Sequence, residues 1–415
     1  MCDIVEMTKR EKSSGASVPL WANVPMRALL SGARRLEPDL VALTRRLVMA
    51  ESPSDDKAAV DACMEIAAEQ ARSLGGRVKV HRQRAYGNLI ELRFGAMRSG
   101  IVGPARRTLV LGHLDTVWSA GTLRKMPLRV ADGRLYGPGT LDMKTGVAMA
   151  LTSVRMLQEA AVLTRTCGHE VVILLVSEEE IGSPVSRAVT EALAVDCGAA
   201  LVMEPAQGLA VKTARKGTGN FRIDVMGRAA HAGVDFAAGR SAIRELARLV
   251  EQVSEWTDEA RGITVNVGAI GGGTRTNIVP EQAWAEVDLR IARRSDGPRL
   301  ERRFQVLQPT RIGEGCTVTV TGGINRPPME RTRGTVRLLR TAQKLAAELD
   351  WKLEEAATGG ASDGNFTSAL GVATLDGLGP VGADAHAAHE HVVLGSIAPR
   401  TALLAGLLAN GISQG

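Results

Sequence analysis

Residues 109–146 read LVLGHLDTVWSAGTLRKMPLRVADGRLYGPGTLDMKTG and contain the pattern from which we predict the fold and a metal site. Its apolar start is typical of a buried strand, and His113 and Asp115 follow at the carboxyl end of that strand. A turn marked by glycine and proline then brings in Asp142, ahead of an alanine-rich segment with helical spacing. Imidazole and carboxylate groups suit a divalent cation such as zinc. The layout therefore indicates a metal site that needs further ligands, since each residue alone would more simply be a core histidine or a solvated aspartate.

Two other apolar strands also end in carboxylates. Residues 171–176 form the most apolar run in the chain and lead directly into three glutamates, residues 178–180. Residues 199–203 lead in the same way into Glu204. Consecutive glutamates are more often a solvated turn, but ligands of open α/β sheets bind at the carboxyl ends of the strands. The sequence therefore predicts that three strand ends meet at one site.

The order of strands and helices predicts two domains, as the length of 415 residues also suggests. Strands alternate with helices in residues 37–212 and again in 326–415, which favours an α/β domain with a mixed, mostly parallel sheet flanked by helices. Residues 213–325 show the order β-α-β-β-α-β of a ferredoxin-like domain, inserted in the larger one. We expect residues 1–36 to be a partly ordered leader, because this segment is polar and is interrupted by prolines.

Charge and cysteine content narrow the class of protein. The net charge of +6 comes from 51 basic and 45 acidic residues and is not gathered in one tract, so we expect no nucleic-acid binding. The same surplus suits small anionic substrates. Five scattered cysteines without a C-x-x-C pair indicate a reduced, cytoplasmic protein. The N-terminal segment contains no long apolar run, so we expect neither a signal peptide nor a membrane span.

The C-terminal part supplies a further candidate ligand. Residues 359–365 form a glycine-rich loop, but the Gly-Lys pair of a nucleotide-binding loop does not follow, so a phosphate site is not indicated. Beyond this loop lie three histidines with a carboxylate among them: His386, His389, Glu390 and His391. A lone histidine would carry little weight, whereas three beside a carboxylate suggest a metal ligand.

Six motifs in this order resemble the metallopeptidase family of glutamate carboxypeptidases, aminoacylases, acetylornithine deacetylases and aminoacyl-histidine dipeptidases. The motifs are Gly-His113-Leu-Asp115-Thr, Gly-Pro-Gly-x-x-Asp142-Met-Lys-x-Gly, Glu179-Glu180-x-Gly-Ser, Glu204-Pro, Ala-His231-Ala-Gly and His386-x-x-x-Glu390. The resemblance extends from about residue 40 to the C-terminus and is closest to the bacterial glutamate carboxypeptidases. It implies that the inserted domain acts as a lid and joins two subunits into a homodimer.

The resemblance also implies two zinc ions per subunit, with cobalt or manganese as alternatives. The implied ligands are His113, Asp142, Glu180, Glu204 and His386. Of these, Asp142 would bridge the two metals, with His113 on one and His386 on the other. Glu179 would be the general base, and Asp115 would orient the imidazole of His113. The family often has a cis peptide bond after the bridging aspartate, and we expect one here.

Two of these assignments leave alternatives open. A slip of one residue within residues 178–180 would change which glutamate is the base and which is the ligand. His389 competes with His386, because the family more often has Asp or Asn at position 389.

The resemblance implies further roles for residues outside the metal ligands. His231, otherwise typical of an exposed turn, would reach the active site of the partner subunit and stabilise the developing oxyanion. The residues implied to hold the terminal carboxylate of the substrate are Asn277, Arg290, Arg326, Gly359 and Gly360. Guanidinium groups suit this task because they bind carboxylates through two parallel hydrogen bonds. For Arg326 the alternative is a structural salt bridge at the domain junction.

We therefore expect a di-zinc amidohydrolase or metallocarboxypeptidase that cleaves the amide bond to a C-terminal amino acid, with glutamate favoured, in small N-acyl or peptidyl substrates. An N-acyl-amino-acid deacylase and a dipeptidase are the alternatives within the enzyme class, and a metal-binding scaffold protein is the alternative outside it. Glu179 speaks against a scaffold, because a binding protein needs no base beside its ligands.

Overall fold

The structure, a computed structural model, describes residues 24–96, 106–165 and 167–410. Residues 1–23, most of the predicted leader, lie outside the described residues. The α-helices are α1 (Met26–Met49), α2 (Lys57–Ser73), α3 (Thr145–Glu159), α4 (Ser186–Ala194), α5 (Ala242–Ser254), α6 (Gly297–Gln305), α7 (Arg333–Ala347), α8 (Gly364–Ala369) and α9 (Ile397–Asn410). The strands are β1 (Arg77–His81), β2 (Leu89–Gly95), β3 (Arg107–His113), β4 (Arg129–Ala131), β5 (Arg134–Tyr136), β6 (Glu170–Val176), β7 (Ala199–Val202), β8 (Val211–Arg215), β9 (Gly217–Met226), β10 (Thr264–Gly272), β11 (Gln282–Ile291), β12 (Thr317–Arg326), β13 (Glu355–Thr358), β14 (Ala373–Leu375), β15 (Gly382–Ala383) and β16 (His391–Val393).

The larger unit is built on a six-stranded sheet with the order β1-β2-β6-β3-β7-β14. Strands β6, β3, β7 and β14 are parallel, while β1 and β2 add an antiparallel edge. All seven residues of β6 are buried, as expected for a strand covered on both faces. The predicted α/β fold with a mixed, mostly parallel sheet is therefore confirmed.

Helices cover both faces of this sheet. Alternate residues of β6 enter two different hydrophobic clusters, one with Ile173 and one with Leu174, because successive side chains of a strand point to opposite faces. The first cluster also contains the buried sides of α1, α2, α3, α7 and α9. The second contains Ala194 of α4, which therefore lies on the opposite face.

The first helix begins within the segment that we predicted to be a leader. α1 starts at Met26, so residues 26–35 of that segment are helical. Met26, Leu29 and Ala33 extend the buried stripe of the helix at spacings of three and four residues. Within residues 26–35 the polar side chains of Arg27, Ser31, Arg34 and Arg35 are exposed.

The register of the parallel strands brings three strand ends to one edge. His113, the last residue of β3, lies beside Val176, the last residue of β6. On the other side of β3, Leu111 lies beside Val202, the last residue of β7. The segments that follow β3, β6 and β7 therefore start at nearly the same level, at the edge where ligands of such sheets bind.

A second sheet with its own core lies in residues 217–326, which we call the inserted unit. It has the strand order β10-β11-β9-β12, and all neighbours are antiparallel. Helices α5 and α6 pack against it, which gives the order β-α-β-β-α-β read from the sequence. In its core the rings of Phe221 and Phe304 stack at a centroid distance of 3.9 Å, with Trp256 edge-on to Phe304 at 4.9 Å.

Two smaller sheets complete the fold. β8 and β13 pair in parallel, and β15, β16, β5 and β4 form a four-stranded sheet. In the latter, His391 of β16 lies beside Tyr136 of β5, which brings residues 386–390 close to the turn that carries Asp142. No helix among the described residues combines the length and the apolar character needed to cross a lipid bilayer.

Candidate metal centre

Five side chains converge around Asp142, and we call them the ligand cluster: His113, Asp142, Glu180, Glu204 and His386. His113 Nε2 lies 3.0 Å from Asp142 Oδ1 and 3.7 Å from Glu204 Oε1. His386 Nε2 lies 3.4 Å from Asp142 Oδ2 and 3.2 Å from Glu180 Oε2. The two oxygens of Asp142 thus face two different histidines, and each histidine has a second carboxylate beside it. Such an arrangement suits two neighbouring cation sites that share one carboxylate.

The charges of the cluster favour a bound cation. Burial and the nearby charge of Asp142 raise the pKa of Glu204 to about 7, and burial also raises the pKa of Glu180. Burial alone would lower the pKa of His113, but Asp115 and Asp142 raise it well above its usual value. Buried carboxylates that lie this close retain protons unless positive charge lies between them. Two imidazoles and three carboxylates are donors that zinc, cobalt and manganese accept, so these residues fit a pair of divalent metal ions.

Glu390 holds the turn that carries Asp142. Its buried carboxylate accepts hydrogen bonds from the backbone N–H groups of Gly139 (2.9 Å), Leu141 (2.8 Å) and Asp142 (3.1 Å). It accepts another from Trp118 Nε1 at 2.8 Å. The peptide bond between Asp142 and Met143 is cis, as expected from the resemblance. The last residue of the sixth motif therefore shapes the turn that presents Asp142 to the cluster.

Asp115 links His113 to the glutamate loop. His113 Nδ1 lies 3.0 Å from the carbonyl oxygen of Asp115 and 3.4 Å from its carboxylate. The same carboxylate accepts hydrogen bonds from the N–H groups of Glu179 and Glu180, both at 3.2 Å, and from Ser54 Oγ at 2.7 Å. Asp115 thus lies where it could orient the imidazole, and its carboxylate holds the backbone of the two glutamates that follow β6.

The consecutive glutamates have different surroundings. Glu178 is fully buried, and its carboxylate accepts a hydrogen bond from the N–H of Ser186 at 2.6 Å. Glu180 lies against His386. Because Glu178 is occupied in holding its own loop, the geometry favours the register with Glu179 as base and Glu180 as ligand.

Glu179 borders the ligand cluster, but among the described residues its carboxylate forms no hydrogen bond with a histidine. One carboxylate oxygen of Glu179, one nitrogen of His113 and one oxygen of Glu204 lie within 4.8 Å of one another. Burial raises the pKa of Glu179 well above its usual value, although the charge of Arg326 opposes this shift. A buried carboxylate with a raised pKa is suited to accept a proton.

His386 and not His389 faces the carboxylates of the cluster. Hydrogen bonds with Asp142 and Glu180 raise the pKa of His386 to about 10. His389 is exposed, and its carbonyl oxygen accepts a hydrogen bond from His391 Nδ1 at 2.9 Å. Of the two histidines considered as ligands, the geometry therefore favours His386.

Arg326 enters the centre from the junction of the two units, at the end of β12. Its Nη2 donates to Ser183 Oγ at 2.7 Å and to Asp363 Oδ1 at 2.9 Å. The same nitrogen lies 3.0 Å from Glu179 Oε1. Its buried Nε has no hydrogen-bond partner in the part of the chain that the structure describes. Arg326 therefore forms the salt bridge considered as the alternative, yet keeps one donor without a partner.

The other three candidates on the inserted unit do not reach the ligand cluster. Arg290 forms a bidentate ion pair with Asp288, with distances of 2.8 and 2.9 Å. Asn277 is exposed. His231 is also exposed, and its Nδ1 accepts a hydrogen bond from the N–H of Gly233 at 3.1 Å. Within the described ranges, no hydrogen bond or ion pair joins these three candidates to the cluster.

The sequence analysis missed a buried arginine beside Glu204. Arg215 forms a bidentate pair with the buried Asp376 at 2.7 and 2.8 Å, and its Nη2 lies 3.5 Å from Glu204 Oε2. Its Nη1 donates to the carbonyl oxygen of Gly360 at 3.1 Å. Gly359 and Gly360 are both exposed. Arg215 and Asp376 are 161 residues apart, and no motif marks either, so only the fold reveals the pair.

Known proteins are similar to this sequence over most of its length. Residues 109–410 match peptidase family M20/M25/M40. Carboxypeptidase G2 from Pseudomonas sp. (strain RS-16) is 27% identical over 392 residues, which cover 93% of this chain and 92% of that protein. A succinyl-diaminopimelate desuccinylase from Delftia acidovorans is 27% identical over 380 residues, which cover 86% of this chain and 94% of that protein.

A solved structure shares the fold. Aminopeptidase PepT from Bacillus cereus superposes with a TM-score of 0.75 at 18% identity, covering 90% of this chain and 98% of that chain. The matched residues 109–410 include the whole ligand cluster and Glu179, which agrees with the resemblance inferred from the six motifs. The chain therefore belongs to peptidase family M20/M25/M40, and it is a hydrolase of the metallopeptidase and amidohydrolase type.

Proposed function

We propose that the chain is a di-zinc amidohydrolase that hydrolyses the amide bond to a C-terminal amino acid, with glutamate favoured, in small N-acyl or peptidyl substrates. The observation that carries the proposal is the position of Glu179 beside two histidine and carboxylate sets that share Asp142. A base next to two cation sites serves hydrolysis, whereas binding alone does not need one. The relatives named above, a carboxypeptidase and a desuccinylase, support the same class of reaction.

The ligand cluster would hold the metal ions. Zinc, cobalt or manganese held there would supply Lewis-acid chemistry, which acidifies the attacking water and polarises the scissile carbonyl. In this assignment His113 and Glu204 serve one site, His386 and Glu180 serve the other, and Asp142 serves both. The sheet edge and the turn of Asp142 hold these donors close together in advance, so binding needs little rearrangement.

Glu179 is the proposed general base. Its carboxylate takes a proton from the attacking water and delivers it to the amine nitrogen as the C–N bond breaks. Burial raises the pKa of this carboxyl group, which favours proton uptake. Arg326 Nη2, 3.0 Å from Glu179 Oε1, keeps the carboxylate in one orientation.

We place the terminal carboxylate of the substrate at the junction of the two units. The guanidinium of Arg326 lies there, and its buried Nε has no partner in the described part of the chain. Gly360 lies nearby, because Arg215 beside the cluster donates to its carbonyl oxygen. Arg290 and Asn277 would complete this subsite only after their own unit, or a second copy of it, approaches the ligand cluster.

The proposed active form is a homodimer joined through the inserted units. Strand β10 lies at an edge of the inserted sheet, and edge strands readily pair with another chain. Ile270 on β10 is 65% exposed, and Val234 and Phe236, which follow His231, are 82% and 66% exposed. Exposed apolar residues of this size favour a protein partner. In such a dimer, His231 would donate a hydrogen bond to the developing oxyanion in the partner's site.

A hydrolysis screen tests the substrate and the metal dependence. N-acyl amino acids and dipeptides with different C-terminal residues are assayed with and without a chelator. We expect N-acyl-glutamates to be cleaved fastest, the chelator to abolish cleavage, and zinc to restore it. Preference for other N-acyl amino acids would favour a deacylase, and cleavage of free dipeptides alone would favour a dipeptidase. Full activity after removal of all metal would overturn the proposed mechanism.

Glu179→Gln separates the base from the ligands. We expect two metal ions per chain to remain bound while turnover falls about 100- to 10,000-fold, the usual contribution of a positioned base. Glu178→Gln is the matched control, because the neighbouring carboxylate serves its own loop and its replacement should affect stability more than turnover. Unchanged turnover in Glu179→Gln would remove this residue from the role of base.

A further inference from the structure

Arg400 is a buried cation that the proposed chemistry does not use. It lies in the first turn of α9, its exposed fraction is 2%, and no carboxylate pairs with it among the described residues. Burial lowers its pKa to about 10. A buried charge without a counter-ion is costly, and the N-terminal end of a helix disfavours a cation. The position of Arg400 therefore needs a physical explanation.

Three backbone carbonyl groups take the place of a counter-ion. Arg400 Nε donates to the carbonyl oxygen of Gly379 at 2.5 Å, and Nη2 donates to that of Gly377. Nη1 donates to the carbonyl oxygen of Leu209 at 3.3 Å. The planar guanidinium thus ties the loop after β14 to the loop after β7, a task that a single ammonium group performs less well. We call these three hydrogen bonds the carbonyl clamp.

The loop after β14 lies directly behind Glu204. The N–H of Leu378 donates to the carbonyl oxygen of Val202 at 3.1 Å. The next amide, that of Gly379, donates to the carbonyl oxygen of Glu204 at 2.9 Å. A Cβ at Gly379 would lie 2.3 Å from the carbonyl oxygen of Met203, so only glycine permits this close approach. The loop that Arg400 holds is therefore in contact with the backbone that presents Glu204 to the cluster.

We propose that Arg400 is a positioning residue for Glu204, and through it for the metal site that Glu204 shares with His113. The inference rests on the di-metal centre proposed above. Loss of the guanidinium removes the donor that the carbonyl groups of the buried Gly377 and Gly379 and of Leu209 share, and it separates the loop after β14 from α9. Glu204 then loses the support behind its backbone, whereas Glu180 and its metal site receive no support from the clamp.

Metal binding by the full chain tests this inference without reliance on turnover. Metal-free protein is titrated with cobalt against a competing chelator, and the visible absorption of bound cobalt is recorded. We expect Arg400→Met to weaken one of the two cobalt sites about 10- to 100-fold, as loss of an outer contact does, and to leave the other unchanged. Its cobalt spectrum should resemble that of Glu204→Gln and differ from that of Glu180→Gln. Arg400→Lys, which keeps the charge but not the planar fork, should show the same selective effect to a smaller degree.

Leu404→Ala is the matched control. Leu404 is fully buried one turn further along α9, so its truncation destabilises the helix packing and leaves the carbonyl clamp intact. Wild-type affinity for cobalt at both sites in Arg400→Met would overturn the proposal. The proposal would also be overturned if Arg400→Met weakened the two sites equally and Leu404→Ala did the same. If Arg400→Met does not fold, the same comparison with Arg400→Lys decides.

The outcomes separate this inference from the proposed function. A wild-type chain that binds two cobalt ions but cleaves no N-acyl-glutamate would overturn the proposed substrate and leave the Arg400 test valid. A wild-type chain that binds fewer than two ions would overturn the di-metal centre and the role of Arg400 with it.

Discussion

The edge of the six-stranded sheet and the surface of the inserted unit both carry residues that the sequence marks as functional, yet only the first group is assembled. At the sheet edge, His113 lies 3.0 Å from Asp142 and 3.7 Å from Glu204. On the inserted unit, His231 is exposed and Arg290 is paired with Asp288. Parallel strands of one sheet end at one level, so their terminal residues meet without further movement. Arg326 at the end of β12 reaches Glu179 from the inserted unit, whereas His231 and Arg290 of that unit need a movement or a second subunit to join the cluster.

The first prediction compares a histidine from each region. His113→Ala should abolish measurable turnover and remove one metal ion per chain, because it deletes a proposed ligand. His231→Ala should keep both ions and lower turnover by about 100- to 1,000-fold, as loss of an oxyanion donor does. Turnover is measured with an N-acyl-glutamate, and bound metal is measured by elemental analysis. Loss of metal in His231→Ala would show that the inserted unit also contributes to metal binding, contrary to this prediction.

Mixed dimers test whether His231 acts in the active site of the partner subunit. Glu179→Gln and His231→Ala subunits should each be nearly inactive alone, but their mixture should regain turnover. One site of each mixed dimer then combines an intact Glu179 with an intact His231 from the other subunit. The assay is performed after the two proteins exchange subunits, with each variant alone at the same total concentration as the control. A mixture no more active than the sum of its parts would show that His231 does not act across subunits.

Metal binding should stabilise the larger unit, because a cation relieves repulsion among its buried carboxylates. At a free metal concentration a thousandfold above the dissociation constant, the expected gain in free energy of unfolding is about 4 kcal/mol. Thermal unfolding with and without zinc measures it. The double variant Glu180→Gln with Glu204→Gln should lose most of this gain. If zinc stabilised that variant as much as it stabilises the wild type, the stabilising ion would be bound outside the ligand cluster.

The smallest expected effect on folding concerns the exposed edge of the inserted unit. Ile270→Asp should change the free energy of unfolding by no more than about 0.5 kcal/mol, as for most surface substitutions. It should nevertheless convert the proposed dimer to a monomer in sedimentation, because it adds a charge to the apolar edge. Val130→Asp is the control, because it adds the same charge to an exposed apolar residue on the larger unit, outside the proposed interface. Val130 is 51% exposed. A dimer that survives Ile270→Asp would exclude this edge as the interface.

The residues predicted as metal ligands lie close together in the structure, and their role stays a prediction. His113, Glu180 and Glu204 could be proposed because they follow apolar strands and Asp142 because it follows a marked turn, whereas His386 was selected by the resemblance. The sequence analysis missed residues whose partners are backbone groups or distant side chains. Arg215 pairs with Asp376 across 161 residues, and Arg400 binds three carbonyl groups. Neither interaction leaves a periodic signal, because a single buried arginine can satisfy its donors anywhere in the fold.

The fold class, the donor types at the strand ends and the order of elements in the inserted unit can be predicted from the sequence, since they depend on local periodicity and residue chemistry. The tertiary fold selects which of several adjacent candidate residues faces the ligand cluster. It turns Glu178 toward the N–H of Ser186 and His386, rather than His389, toward Glu180. Local spacing cannot encode such choices, because the direction of a side chain depends on partners that the fold brings from far along the chain.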